Sequence, residues 1–129
     1  MKLTNQQILN FVNSGIATKK LPVKLAYGIS VNLSSIEPAL AAYNKQREEL
    51  IEKYVKKDDD GKPLTENGFY VFKDKTGWDK SITELLETKA EVSITQVPER
   101  VLIKCDNPEF DGLSVPELSA IQFMIKQQA

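Results

Sequence analysis

The stretch LPVKLAYGISVNLSSIEPALAAYNKQREELIEKYV, residues 21–55, carries a series at Ala26, Ile29, Leu33, Ile36, Leu40, Tyr43, Arg47, Leu50 and Tyr54 in which Arg47 alone is charged. Steps of three and four keep one face of a helix apolar over about four heptads and leave the opposite face to Asn32, Glu37, Asn44, Lys45, Glu48 and Glu52. A straight helix from Leu21 to Val55 would run roughly 50 Å at 1.5 Å per residue, whereas a compact chain of this length has a radius of gyration of about 14 Å. The rest of the chain is too small to cover it. Ile29, Leu33, Ile36, Leu40, Tyr43 and Leu50 are therefore expected to form an oligomer seam, in a homodimer or higher assembly, unless Pro38 bends the helix or a partner hides it. Proline removes the bond to the Ser34 carbonyl and clashes with that turn, so a kink that preserves the register is expected at Pro38.

Upstream, Thr4 followed by Gln7 reads as a capping box for a short helix carrying Ile8, Leu9, Phe11 and Val12, which should end near Ser14 and Gly15. Pro22 suits the first turn of the long helix, because its missing amide hydrogen would be unpaired there in any case. The two helices form a hairpin over 1–57. Downstream, the charged run Lys56 to Asn67 stops the helix, and Phe69-Tyr70-Val71-Phe72 is a strand candidate within a 58–76 turn-and-strand segment. The segment 77–129 mixes elements. Trp78, Ile82 and Leu85 fit a helix from about Gly77 to Thr88, and Val92 with Ile94 fits a half-buried strand. Arg100 to Cys105 reads equally as strand or helical turn. Ser114 with Glu117, and Pro116 in the first turn, open a terminal helix bearing Leu118, Ile121, Met124 and Ile125. The fold class is α+β, mostly helical, in a single domain over 1–129.

Composition excludes several function classes. Lysine plus arginine (17) nearly balances aspartate plus glutamate (18), so no broad field favours nucleic acid. The absence of histidine and the single cysteine, Cys105, argue against metal or triad enzymology and against an internal disulfide. No cofactor is expected. No apolar run reaches the length of a membrane span, and residues 1–10 lack the order of a signal peptide, so a cytoplasmic protein is expected.

The acidic run Asp58-Asp59-Asp60-Gly61 suggests a calcium loop only superficially. With Gly61 at loop position six, Lys56 falls at position one and Asn67 at position twelve, where acidic ligands are required. A helix-terminating turn is the better reading. Arg47 must find a carboxylate, a carbonyl or an anion if it is buried, since an unpaired guanidinium would cost several kcal/mol. A paired or snorkelling arginine that fixes helix register is one reading. The other gathers Lys24, Tyr27, Asn32, Arg47 and Tyr54 into a groove offering cations, amides and aromatic faces to a partner or to a phosphate-bearing or nucleobase-bearing ligand. Gly28 reads as a site of close packing. Trp78 and the Phe69 to Phe72 run read as core, because a nucleic-acid surface would interleave such rings with more cations than Lys73, Lys75 and Lys80 provide.

The segment Lys20 to Leu33, the run Tyr43-Asn-Lys-Gln-Arg-Glu-Glu-Leu-Ile-Glu-Lys-Tyr54 leading into the acidic Asp-Gly turn, and the ending Leu113 to Ile125 resemble a family of small uncharacterised phage and prophage proteins of Gram-positive bacteria. The resemblance implies viral or prophage origin and a helical hairpin, and it carries over no site residues. Pro38 and the connection Pro98 to Gly112 depart from it. The function expected is that of a non-enzymatic phage accessory protein that self-associates through the seam and binds a partner protein in the host cytoplasm or during virion assembly. The alternative is a counter-defence protein that sequesters a small nucleotide signal or inhibits a host defence protein.

Overall fold

Thr4 Oγ1 accepts the Gln7 amide at 3.1 Å while Gln7 Oε1 accepts the Thr4 amide at 2.9 Å, and this reciprocal cap starts helix α1 (Asn5–Asn13) directly behind strand β1 (Lys2–Thr4). The computed structural model describes residues 1–127, so the last two positions of the 77–129 segment lie outside it. Gly15, at φ 73°, turns the chain after α1 into a short 3-10 turn at Ile16–Thr18. Glycine takes that left-handed conformation without steric cost.

Helix α2 (Val23–Tyr54) then runs unbroken for 32 residues, with Pro22 at its N-cap and Pro38 inside it. Its length is about 48 Å. Pro38 and Ser34 are both exposed, on the side of α2 where a carbonyl that loses its helical partner to proline can turn to water instead. The chain after it builds a hairpin of β2 (Thr65–Glu66) and β3 (Phe69–Tyr70), helix α3 (Lys75–Glu87), and strand β4 (Lys89–Glu91), which pairs antiparallel with β1. Strand β5 (Val97–Pro98) and helix α4 (Arg100–Ile103) follow, then helix α5 (Val115–Ile121) and strand β6 (Ile125–Lys126), which lies parallel to β5. The architecture is α+β and mostly helical, with three separate two-stranded sheets among the described residues.

The core gathers around the first half of α2. Leu25, Ile29 and Ile36 of the helix meet Ile8 and Phe11 of α1, Val97 of β5, Val101 of α4, and Ile121, Met124 and Ile125 from the C-terminal segment. Phe11 packs edge-on to Phe123 with ring centroids 5.1 Å apart. Strand β5 lies so close to the helix that a Cβ at Gly28 would stand 2.6 Å from Val97 Cγ2. That close approach is the reason for a glycine inside the helix.

The proposed oligomer seam is thus largely covered within one chain. Ile29, Ile36 and Tyr43 are buried, while Leu33, Leu40 and Leu50 are only half-buried and Ala26 is exposed. The innermost line runs through Leu25, Gly28, Asn32, Ile36 and Tyr43 instead. A strict seven-residue repeat drifts by about 20° per heptad on a straight helix, so a heptad stripe and the buried line coincide only in the middle of α2. The compact-sphere estimate fails because the other elements are laid along the helix rather than packed around its centre. The surface records this: the protein exposes 8446 Å² at 14.5 kDa, against roughly 6,900 Å² for a compact monomer of that mass.

Two further differences concern strands. The strand candidate at Val92 and Ile94 is not part of a paired strand; the paired strand lies just before it, at Lys89–Glu91. Ile125, placed in the terminal helix by sequence, belongs to β6 after the chain tightens into a 3-10 turn at Gln122–Met124. Arg100 to Cys105 takes the helical alternative.

The C-terminal helix is latched to the N-terminal loop through Glu117. Its carboxylate accepts from Lys19 Nζ at 2.7 Å and from the Ser114 amide and hydroxyl at 2.9 Å. Lys19 first, and then Ser114, hold the Glu117 pKa down at about 2 from an ordinary 4.5. A carboxylate with a depressed folded pKa contributes stability that is present above its unfolded pKa and lost as the pH falls through the folded one. Wild type and Glu117→Gln should therefore differ in melting midpoint near neutral pH and converge as the pH falls from about 4.5 towards about 2. Circular-dichroism melts across that range check it, and a constant difference down to the lowest pH would refute the latch.

Candidate functional site

The second half of α2 is covered differently from the first. Between Asn44 and Glu91, Val55 is the single buried residue, and α3 contributes none. Here the chain builds a thin layer. Lys56 N–H donates to the Val71 carbonyl at 2.8 Å and Lys73 N–H to the Tyr54 carbonyl at 2.7 Å, which ties the segment after β3 to the end of α2. Asn67 and Gly68 join β2 to β3 with φ values of 54° and 82°, the two-residue left-handed turn that favours Asn-Gly in hairpins. The Asp74 carboxylate caps α3 by accepting the Gly77 amide at 3.0 Å. A Cβ at Gly77 would lie 2.6 Å from Tyr54 Cε1, so a glycine lets α3 seat against that ring.

This layer presents a notch of about 830 Å³ lined by Arg47, by residues 66–72 of the hairpin and its exit, and by Lys75 and Trp78 of α3. Tyr70 stands edge-on to Phe72 and to Trp78, each at 6.4 Å, and Phe72 tilts against Trp78 at 5.2 Å. Lys75 Nζ sits 5.7 Å above the Phe72 ring. Phe69, at the hairpin tip, is 77% exposed. The expectation that these rings form core is therefore corrected: Phe69 is on the surface, and Tyr70, Phe72 and Trp78 are half-buried. The two-stranded hairpin has only the last turns of α2 and one face of α3 to pack on, too little apolar surface to bury four aromatic side chains.

The five residues of the proposed groove do not come together. Lys24 and Tyr27 lie exposed near the start of α2, beside Gln96 and Pro98, and Arg47 is some twenty residues further along, about 30 Å on a helix. Asn32 is removed altogether. It is completely buried, its Nδ2 donates to the Thr95 carbonyl at 2.9 Å, and its Oδ1 accepts the Thr95 amide at 2.8 Å. Tyr54 supports α3: Ser81 Oγ donates to its hydroxyl at 3.3 Å and Lys53 Nζ sits 5.2 Å over its ring. The Ser81 hydrogen bond, followed by Lys53, holds the Tyr54 pKa below its ordinary 10.0. Only Arg47 remains in a site. It is half-buried, and among the described residues it makes no ion pair and no side-chain hydrogen bond. Arg47 thus has no paired counter-ion, and no groove with Lys24 is formed.

Other chemistry-bearing groups have structural roles. Asp58 Oδ1 accepts the amides of Asp60 and Lys62 at 2.9 and 3.0 Å, so the acidic run is a self-capped turn. Cys105 is buried, and burial, with Asp106 beside it, pushes its thiol pKa up, away from nucleophile chemistry. No described helix is long and apolar enough to cross a membrane. The aromatic notch escaped the sequence reading although Asn67-Gly68 between two strand-forming pairs is a strong local hairpin signal, and a hairpin there puts Phe69 at its exposed tip. No family model, curated protein or solved structure matches the chain.

Proposed function

We propose that this chain is a non-enzymatic phage or prophage accessory protein that binds a partner protein through the aromatic notch beside Arg47. The phage setting, in the host cytoplasm or during virion assembly, rests on the sequence resemblance. The observation that carries the binding role is Phe69, held 77% exposed on a tight turn, next to half-buried Tyr70, Phe72, Trp78 and Arg47. Tryptophan, tyrosine and arginine dominate the energetic centres of protein interfaces. The surface excess over a compact monomer supports the same reading, as a layer this thin gains from being covered.

Sequestration of a nucleotide signal uses the same arginine and rings. A small-molecule site, however, encloses most of its ligand, and none of the notch residues is buried. Self-association stays within the proposal through the half-exposed edge of the stripe, Leu33, Leu40 and Leu50, and light scattering across a concentration series tests it.

The notch is tested with Phe69→Ser, using Val115→Ser as the control, since Val115 is 76% exposed on another element. Both variants should melt like wild type. A protein captured from phage-infected cells by wild type and by Val115→Ser should be lost with Phe69→Ser; equal capture by all three would defeat the proposal.

A further inference from the structure

We infer that the segment seated in the notch is an acidic one, an extended or helical stretch of the partner that places an apolar side chain among Tyr70, Phe72 and Trp78 and a carboxylate on Arg47. This rests on the notch being the partner-binding face. The helix around Arg47 denies it an internal counter-ion: the positions three and four residues away are Asn44, Leu50, Tyr43 and Ile51, and only such neighbours share its face. A guanidinium is a planar fork of donors suited to bidentate capture of a carboxylate, and Arg47 lines the same notch as the rings. Lys75 adds a second cation at the rim. Its pair with Asp79, at 3.1 Å, leaves both side chains more than half exposed, so that contact is weak and exchangeable. Glu66 is the one carboxylate among the lining residues.

The wider charge pattern selects the class of partner. From Lys45 to Lys80 there are nine cations and nine carboxylates, so no field extends beyond the notch. A polyanion such as RNA or single-stranded DNA is bound through many phosphate contacts on a basic surface, which this sector lacks. One cationic fork set against an apolar notch fits instead a protein segment with one or two acidic residues flanking a leucine, phenylalanine or methionine. Phe69, next to its tight turn, would pack against that side chain.

Trp78 is the single tryptophan of the protein, so its fluorescence reports directly on the notch. A random twelve-residue peptide library should be selected on the folded wild type, and the enriched peptides, synthesised without tryptophan, titrated against Trp78 fluorescence. Enriched sequences are expected to carry aspartate or glutamate within a few residues of a large apolar side chain. Their affinity should fall about tenfold or more in Arg47→Gln, with an unchanged melting midpoint, and should weaken with added salt. Peptides that bind through Phe69 but lack acidic residues, or that ignore Arg47→Gln, would overturn the acidic assignment and leave the notch as a protein-binding face. Failure to enrich any notch-binding peptide would also overturn it. Saturable Trp78 quenching by ATP or a cyclic dinucleotide in place of peptides would remove both readings, as would a wild-type dimer that dissociates in Phe69→Ser and binds no peptide.

Discussion

Ile36→Ala should lower the melting midpoint by roughly 10 °C or more, while Leu40→Ala, one turn further along the same stripe, should cost clearly less. Ile36 is completely buried where α2 meets the core, and Leu40 is half-buried at its margin. Truncating a large aliphatic residue in such a core removes both its transfer free energy and the contacts across the cavity left behind, about 2–5 kcal/mol in comparable sites. Asn44→Ala, on an exposed position of the same helix, should be within about 0.5 kcal/mol of wild type. Thermal and urea melts of the three variants decide the matter. Equal midpoints for Ile36→Ala and Asn44→Ala would show that this face of α2 is not the core.

Asn32→Leu should be as damaging although it exchanges a polar residue for an apolar one of similar size in an apolar setting. The Asn32 amide takes both the amide and the carbonyl of Thr95, and so fastens the strap that leads into β5 to the middle of α2. Leucine fills the space but removes the partners of two main-chain groups in part-buried hydrogen bonds, and such a group kept from water costs about 1–3 kcal/mol. The expected loss is about 2–4 kcal/mol. Hydrogen exchange at the Thr95 amide should accelerate more than the change in global stability accounts for. A stability equal to wild type would mean that the strap is held by Val97 and its neighbours alone.

These two residues show where a linear pattern stops being informative. In the sequence, Ile36 and Leu40 hold equal rank in one stripe, and Asn32 reads as polar surface or as part of a ligand groove. Both assignments depend on the azimuth of the buried line around α2, which is set by what packs on it. The strap from Val92 to Pro98 lies more than fifty residues away in the chain and shifts that line from Ala26 and Leu33 towards Leu25, Gly28 and Asn32. Periodicity of three and four cannot resolve a rotation of one residue while α1, β5 and the C-terminal segment are unplaced.

The sequence by itself determined the elements whose signals are local. The capping boxes at Thr4 and Ser114, the start of the long helix at Pro22, its passage through Pro38, the acidic turn at Asp58 and the helix through Trp78 all rest on contacts within a few residues. Tertiary structure alone decided which residues those elements cover. The pairings of β1 with β4 and β5 with β6 join two- and three-residue segments, too short for any alternation to register. The separation of Lys24 from Arg47 follows from the rise of one continuous helix, and the exposure of Phe69 and incomplete burial of Trp78 follow from how little apolar surface α3 and the end of α2 offer them. Local chemistry selects conformation residue by residue, whereas burial is a sum over distant neighbours, and in this chain the candidate site lies where that sum stays small.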